Sequence, residues 1–198
     1  MPTRDEQKQL RKMKILNAAL DQFIKRGYAA TKVSHIAEAA NMSVGLLFHY
    51  FKSKEQLYIE LIEIGIDGPS QMIDSVAMLA PLQFFTTIAE LILQYAKESE
   101  FTAKMFVLMN SAFYSEGIPL KARKLALQMD FYTLAEVYIK KGQQDGTIRM
   151  GDSLALSTAF WTALQGAVSA YALIPNSSLP EAEWIIDIIK EKQIREEN

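Results

Sequence analysis

The side chains of Ser43, His49, Tyr50 and Lys54 bring a hydroxyl, an imidazole, a phenol and an ammonium group into one short segment. These groups donate hydrogen bonds and include a positive charge, which is the chemistry that proteins use to contact the phosphates and bases of nucleic acid. Catalysis and metal binding fit less well, because the chain has no cysteine and its two histidines fall in separate helical patterns. The segment therefore predicts a DNA-reading site.

Two short helical patterns around a tight turn position these side chains. An apolar stripe over residues 36–40 marks the first helix, and Asn41 suits the turn because asparagine tolerates a left-handed backbone conformation. Ser43 can then cap a new helix through its side-chain oxygen. That helix, residues 44–50, would be about 10 Å long at 1.5 Å per residue. A short helix with a polar cap and Gly45 near its start suits insertion into a DNA major groove.

A longer series of residues continues this pattern on both sides. It comprises Ile15-Leu16, Ala18-Ala19, Phe23, Gly27-Tyr28, Thr31, Val33, Ile36-Ala37, Ala40, Ser43, Gly45, 47–51, Ser53-Lys54-Glu55 and Leu57. In this order and spacing, the series resembles the tetracycline-repressor (TetR) family of bacterial transcription regulators over roughly the first third of the chain. The resemblance implies an all-α fold, in which an N-terminal three-helix helix-turn-helix DNA-binding domain precedes a helical ligand-binding and dimerisation domain.

The resemblance also implies which residues touch DNA. Phosphate contacts are expected from Thr31 and Lys32 at the start of the second helix, from Tyr50, and from Lys54. Lys54 lies in the first turn of the next helix, where a cation opposes the helix dipole, and a phosphate partner would explain it. Groove or base contacts are expected from Ser43, Val44, Gly45, Leu46 and His49.

Two positions depart from the family pattern. Val44 stands where the family often has lysine, and Leu46 stands where it commonly has threonine or serine. An apolar recognition face could read thymine methyl groups by contact, or could leave specificity to fewer polar groups. The neighbouring Leu47, Phe48 and Phe51 are expected in the core, where they would hold the recognition helix against the first helix.

Charge is distributed unevenly along the chain. Residues 1–60 hold ten Lys and Arg against six Asp and Glu, whereas residues 61–198 hold eleven against seventeen. The net charge of −2 for the whole chain therefore hides a basic head on an acidic body. Such a head concentrates positive potential where phosphate would bind, which supports DNA as the partner.

Helical periodicity predicts an all-helical chain. The predicted helices cover 8–26, 33–40, 44–50, 53 to about 65, 70–79, 82–98, 101–115, 119–143, 153–173 and 181–195. Gly65, Gly68 and Pro69 predict a break that separates two domains. The predicted parts are a helix-turn-helix DNA-binding domain over 1–52, a linker helix over 53–68, and a ligand-binding and dimerisation domain over 69–198.

Residues 153–174 carry no charge and approach the length that spans a membrane. Polar residues interrupt this stretch, and small residues recur every fourth position, which allows a close approach of two helices. A buried helix at a subunit interface explains the pattern better than a bilayer does, so we expect a homodimer and no membrane partner. The predicted dimer interface comprises Ala159, Thr162, Ala163, Gly166, Ala167, Ala170, Trp184 and Ile188.

The acidic body is expected to bind a small, largely apolar effector that releases the protein from its operator. Aromatic residues and methionines are plentiful there, and most are expected in the core. A subset would line the pocket, where methionine adapts to the ligand. The predicted ligand-binding residues are Tyr95, Met105, Met109, Phe131 and Tyr138.

Two other classes of protein were weighed against a DNA-binding regulator. An enzyme is disfavoured by the residue inventory, which lacks a phosphate-cradling glycine loop and a His-x-x-x-His metal pair. A purely helical interaction module would leave the basic head and the pattern over 34–55 unexplained. No catalytic residue, metal or cofactor is predicted. The absence of cysteine and of a signal-peptide pattern favours a cytoplasmic location.

Overall fold

The computed structural model describes residues 3–128 and 130–192. Their regular structure is helical, apart from one isolated bridge between Ile148 and Lys190. The helices are α1 (Arg4–Ala30), α2 (Val33–Ala39), α3 (Val44–Tyr50), α4 (Lys54–Val76), α5 (Pro81–Glu98), α6 (Glu100–Tyr114), α7 (Leu120–Leu127), α8 (Phe131–Gln144), α9 (Ser153–Leu173) and α10 (Ala182–Ile186). The predicted all-α fold is confirmed over this part of the chain.

Helix α1 begins earlier than predicted because a capping box starts it. The backbone N–H of Glu6 donates to the Thr3 hydroxyl at 3.2 Å, and the Thr3 N–H donates to the Glu6 carboxylate at 2.6 Å. Near the other end, Gly27 leaves helical geometry with φ 74° and ψ 163°. Glycine adopts this conformation at little steric cost, so the chain kinks there before it enters α2.

The predicted helix break at 65–69 is wrong, since α4 continues through these residues to Val76. Proline in a helix interior removes one hydrogen bond and crowds the preceding turn. Packing along α4 offsets this cost. A Cβ atom added to Gly65 would lie 2.5 Å from the sulfur of Met109. The Met109 side chain can therefore pack this closely against α4 because residue 65 has no side chain. Beyond the proline, Ile73 is buried.

Two helices, α7 and α8, replace the single helix predicted over 119–143. Helix α7 ends at Leu127, and Asp130 starts α8 by accepting a hydrogen bond from the backbone N–H of Thr133 at 3.0 Å. Hydrogen bonds from the Thr133 hydroxyl and backbone hold the pKa of Asp130 below its ordinary value. An aspartate cap is a strong local start signal, and the periodic pattern alone overlooked it.

Helix α10 ends at Ile186, whereas the pattern predicted a helix over 181–195, of which 193–195 lie outside the described residues. Long-range backbone pairing stops it. The N–H of Arg149 donates to the carbonyl of Ile189 at 2.9 Å, and its guanidinium donates to carbonyls of the same stretch. These partners lie about forty residues away in sequence, so helical periodicity could not reveal them.

The described residues form two compact units. The first takes in residues 3–68 and 104–128, and the second takes in 69–103 and 130–192. The divisions fall inside α4 and α6, and residues 104–128 group with the N-terminal segment. The predicted domain bounds therefore stay a prediction.

Candidate nucleic-acid interface

A small apolar core in the first unit sets the orientation of α3. Ile15 of α1, Ile36 of α2, Leu47 of α3 and Phe51 just after it are fully buried. Helix α2 packs against both α1 and α3. Because Leu47 faces this core, the opposite face of α3 is turned to solvent.

The turn between α2 and α3 forms as its residues predicted. Asn41 has a positive φ of 53°, and the N–H of Met42 closes the turn by donating to the carbonyl of Ala37 at 2.9 Å. The Ser43 hydroxyl oxygen then accepts a hydrogen bond from the N–H of Leu46 at 3.1 Å. The predicted left-handed asparagine and the predicted serine cap are confirmed, and together they fix where α3 begins.

Three large apolar side chains lie on the exposed face of α3. Val44 is 39% exposed, Leu46 37% and Phe48 45%. The expectation that Phe48 lies in the core beside Leu47 is therefore wrong. At about 100° per residue, Phe48 stands one turn after Val44 and shares its side of the helix.

Thr31 does not offer its hydroxyl to a phosphate as expected. The residue is 1% exposed, and its hydroxyl lies 2.7 Å from the carbonyl oxygen of Gly27 and 3.0 Å from that of Gln22. The hydroxyl closes the end of α1, where a buried donor needs an acceptor. The residue at the N-cap position of α2 is Lys32.

Lys54 has a partner that the sequence did not reveal. Its Nζ donates to the carbonyl oxygens of Tyr28 at 2.7 Å and Thr31 at 2.9 Å, and it lies 4.3 Å from the centre of the Tyr28 ring. Burial lowers the pKa of Lys54. The cation satisfies carbonyl groups at the end of α1 and ties α1 to the first turn of α4, and a phosphate contact by Lys54 stays a prediction.

Four further polar residues belong to α3 or to the segments that adjoin α2 and α3. Lys32 and His49 are exposed, and Tyr50 is half-buried with its ring edge-to-face against His49 at 5.8 Å. Lys52, which sequence reasoning missed, is also exposed, and its N–H donates to the side chain of Gln56 at 2.8 Å. Lys52 stands between the end of α3 and the Ser53 cap of α4, and this position was the signal available in the sequence. DNA contact by Lys32, Ser43, His49 and Tyr50 stays a prediction.

An aromatic cluster beneath the Lys54 contact stiffens the first unit. The ring of Tyr58 lies 5.0 Å from that of Phe23 and 4.9 Å from that of Tyr28, edge-on in both cases. Burial raises the pKa of Tyr58 to about 12, with a further contribution from Tyr28, and a hydrogen bond from Ser111 opposes the rise. The cluster joins α1, α4 and α6 behind the exposed face.

The predicted ligand-binding residues fall in different units. Met105 and Met109 belong to the first unit, and Met105 is buried. In the second unit, Tyr138 stacks on Phe84 with 3.9 Å between ring centres, and Phe131 stacks on Trp161 at 5.3 Å. The fifth, Tyr95, is 44% exposed in the second unit. Ligand binding by these five residues stays a prediction.

An open groove of about 360 Å³ in the first unit contains none of these residues. Its lining includes Glu60, Glu63 and Lys121. Glu63 is paired with Lys121 at 3.2 Å, and Glu60 is paired with Lys12 at 2.5 Å. A wall of paired charges does not fit a largely apolar effector.

The predicted dimer residues on α9 present an outward face. Ala159, Thr162 and Gly166 are exposed, whereas Ala163, Ala167 and Ala170 are half-buried. Trp184 is 65% exposed, an unusual exposure for so large an apolar side chain, and Ile188 is half-buried. No helix in the described ranges has the length and apolarity required to cross a bilayer.

Comparisons with known proteins agree with this geometry. Residues 15–61 match the family model of bacterial regulatory proteins, tetR family. An uncharacterised HTH-type transcriptional regulator of Bacillus subtilis, YhgD, is 33% identical over 99 residues, which is 48% of this chain. The matched segment spans 51% of that relative and a smaller share of other curated relatives.

Solved structures share the fold over most of the chain. The MbdR regulator of Azoarcus sp. CIB aligns with a TM-score of 0.73 at 21% identity, covering 90% of this chain and 96% of its own. AibR, solved in complex with isovaleryl coenzyme A and operator DNA, aligns with a TM-score of 0.67 at 20% identity, covering 89% and 94%. Residues 15–61 of this chain are therefore similar to bacterial regulatory proteins of the tetR family, and its fold is similar to these solved structures over most of its length.

Proposed function

We propose that this regulator binds operator DNA through α2 and α3 and that a small, largely apolar effector releases it. One observation carries the DNA-binding part. Helix α3 is capped by Ser43, anchored by the buried Leu47, and exposes its other face, while the exposed cations Lys32 and Lys52 stand just before α2 and just after α3 in the chain. A rigidly held, exposed short helix flanked by cations has the form that fits a major groove between phosphates.

The proposed contacts divide into two kinds. Lys32, Lys52 and Tyr50 would meet phosphates, which positions the protein without reading sequence. Ser43 and His49, together with the apolar residues and the glycine of α3, would meet base edges. Lys54 and Thr31 support this surface from behind, through their contacts at the end of α1.

The proposed ligand response rests on the second unit and on one structural neighbour. AibR was crystallised with both an acyl coenzyme A and operator DNA. In this chain, the Phe131–Trp161 stack leaves the buried Nε1–H of Trp161 without an acceptor among the described residues. An effector with an oxygen acceptor and an apolar body would satisfy that donor. Such an effector would release the protein from operator DNA if it bound more tightly to the DNA-free arrangement than to the DNA-bound one.

The protein is proposed to work in the cytoplasm as a homodimer, which would present two copies of α3 to two half-sites. Two features support the dimer: the small residues exposed along α9, and the exposed side chain of Trp184. Small residues let helix backbones approach closely, and an exposed tryptophan gains most from a covering partner.

Selection from random double-stranded DNA tests the DNA-binding proposal. The purified full chain should enrich one sequence with two related half-sites. Binding to that sequence should weaken steeply with added salt, because each cation on a phosphate releases counterions. Tyr50→Phe and Lys52→Met should each weaken binding, whereas Lys140→Met on α8 serves as an exposed-lysine control.

The opposing results are specific. If no sequence is enriched over many rounds, the chain does not read an operator. If the enriched sequence binds equally well at low and high salt, the phosphate contacts are absent. The selection repeated with a panel of small apolar molecules tests the effector, since a molecule that lowers operator affinity should also raise the unfolding temperature of the free protein.

A further inference from the structure

Three apolar side chains flank the exposed face of α3, and the described residues cover each of them only in part. On this helix of seven residues, the exposed fractions are 39% for Val44, 37% for Leu46 and 45% for Phe48. Leu47 is the large apolar side chain of α3 that is completely buried in the core, whereas the other three keep part of their surface exposed. An exposed apolar cluster of this kind indicates a partner surface.

The three side chains lie on the two flanks of the exposed face. Val44 and Phe48 lie one turn apart on one flank, and Leu46 lies on the other flank, at about 100° per residue. Gly45 and His49 lie between the flanks. A Cβ added to Gly45 would meet nothing within 4 Å, so the glycine fills no packing need inside the protein. Its missing side chain leaves room for a close external surface.

The chemistry of residues 44–50 restricts what that surface can be. The segment has no Arg, Lys, Asn or Gln, the side chains that read guanine and adenine by paired hydrogen bonds. His49 is its one exposed hydrogen-bonding side chain. In the major groove, the feature that an apolar side chain can recognise is the C5-methyl group of thymine. The exposed Lys32 and Lys52 supply the charge that matches the flanking phosphates.

We propose that Val44, Leu46 and Phe48 read thymine methyl groups, so that each half-site carries A·T pairs under both flanks of α3. The inference rests on the proposed function, since it specifies which operators α3 selects. Gly45 lets the helix backbone approach the bases, and His49 supplies a polar contact between the two apolar flanks.

Deoxyuridine substitution tests the proposal directly. Once selection has defined the operator, each thymine of a half-site is replaced in turn by deoxyuridine, which removes the methyl group and preserves base pairing. Affinity should fall by about fourfold at each contacted thymine, the value of burying one methyl-sized group. At least two thymines per half-site should respond, one for each flank.

Protein variants identify the reader of each methyl. Phe48→Ala, Val44→Ala and Leu46→Ala should each weaken binding to the thymine operator. Each should also abolish the effect of deoxyuridine at one position, because the side chain and the methyl then no longer interact. Leu120→Ala, which truncates an exposed leucine on α7, serves as the matched control and should change neither quantity.

The outcomes separate the two proposals. An operator that is selected but shows no response to deoxyuridine at any thymine overturns the methyl readout and leaves DNA binding intact. Selected half-sites made of G·C pairs would also overturn the methyl readout and leave DNA binding intact. If no operator is selected at all, the proposed function fails and the methyl readout fails with it. Each of the three variants should still unfold in one cooperative transition, so that weaker DNA binding is not a loss of the fold.

Discussion

At the scale of single residues, Gly45 is expected to lower the stability of α3 and to favour its contact with a partner. Glycine inside a helix costs about 1 kcal/mol relative to alanine, because the unfolded chain gains freedom without a side chain. Here the structure leaves open space around the position, so alanine would fit without strain. A residue that weakens its own helix and fills no internal need is best explained by close contact with a partner.

Gly45→Ala should therefore move two measurements in opposite directions. The free energy of unfolding in urea should rise by up to about 1 kcal/mol. Operator affinity should fall at least tenfold, because the added methyl group holds the α3 backbone away from the bases. Unchanged affinity in the more stable variant would show that the backbone does not approach DNA here.

Tyr58 provides a titration that reports on the interior of the first unit. Its pKa is raised to about 12 from an ordinary 10.0, chiefly by burial. The unfolded chain loses this proton near pH 10, whereas the folded chain holds it to about pH 12, so stability falls as the pH rises through this window. Tyr58→Phe should lose stability less steeply over that window.

At the scale of elements, one cation organises the junction of α1 and α4. The three described carbonyl acceptors of Lys54 belong to Tyr28 and Ala29 in the last turn of α1 and to Thr31 just after it. Helix ends leave carbonyl groups unpaired, and a lysine from another helix satisfies them here. The placement of α2 in the first unit therefore depends on the first turn of α4.

Lys54→Met keeps the aliphatic stem and removes the ammonium group. The free energy of unfolding should fall by about 1–2 kcal/mol, because hydrogen bonds to a charged donor are lost and the carbonyl groups are left to solvent. Lys52→Met, two residues earlier, should instead lower operator affinity and leave stability unchanged. An unchanged unfolding curve for Lys54→Met, combined with a strong loss of DNA binding, would favour the phosphate contact.

At the scale of the whole molecule, the proposed assembly depends on α9. This helix carries no charge over 153–173 and still leaves Ala159, Thr162 and Gly166 exposed. An uncharged exposed helix face is a natural site for a second copy, since a dimer interface is symmetric and self-complementary.

Ala159→Arg should convert the protein to a monomer of 22.3 kDa in sedimentation at micromolar concentration. Two arginines would face one another across the symmetric interface, unpaired and desolvated. Gln94→Arg, an exposed site on α5, should retain the mass of the unmodified protein. A dimer mass that persists in Ala159→Arg would remove this face of α9 from the interface.

Local chemistry explains which parts of the structure were predictable. The caps at Ser43 and Ser53 and the left-handed Asn41 depend on atoms within three or four residues, so a short segment is enough to specify them. Periodicity likewise located α1, α3, α5 and α9. It failed at the split between α7 and α8, where a local cap decides against a continuing apolar stripe.

By itself, the sequence determined the helix-turn-helix, the resemblance of its first third to the TetR family and the apolar character of α3, because these depend on residue type and short-range spacing. The tertiary structure alone decided that Thr31 is buried, that Lys54 binds the end of α1, and that Phe48 faces solvent. Each of these depends on contacts between segments that are distant in sequence or on which side of a short helix meets the core. Burial and long-range hydrogen bonds are properties of packing, and no pattern along one segment contains them.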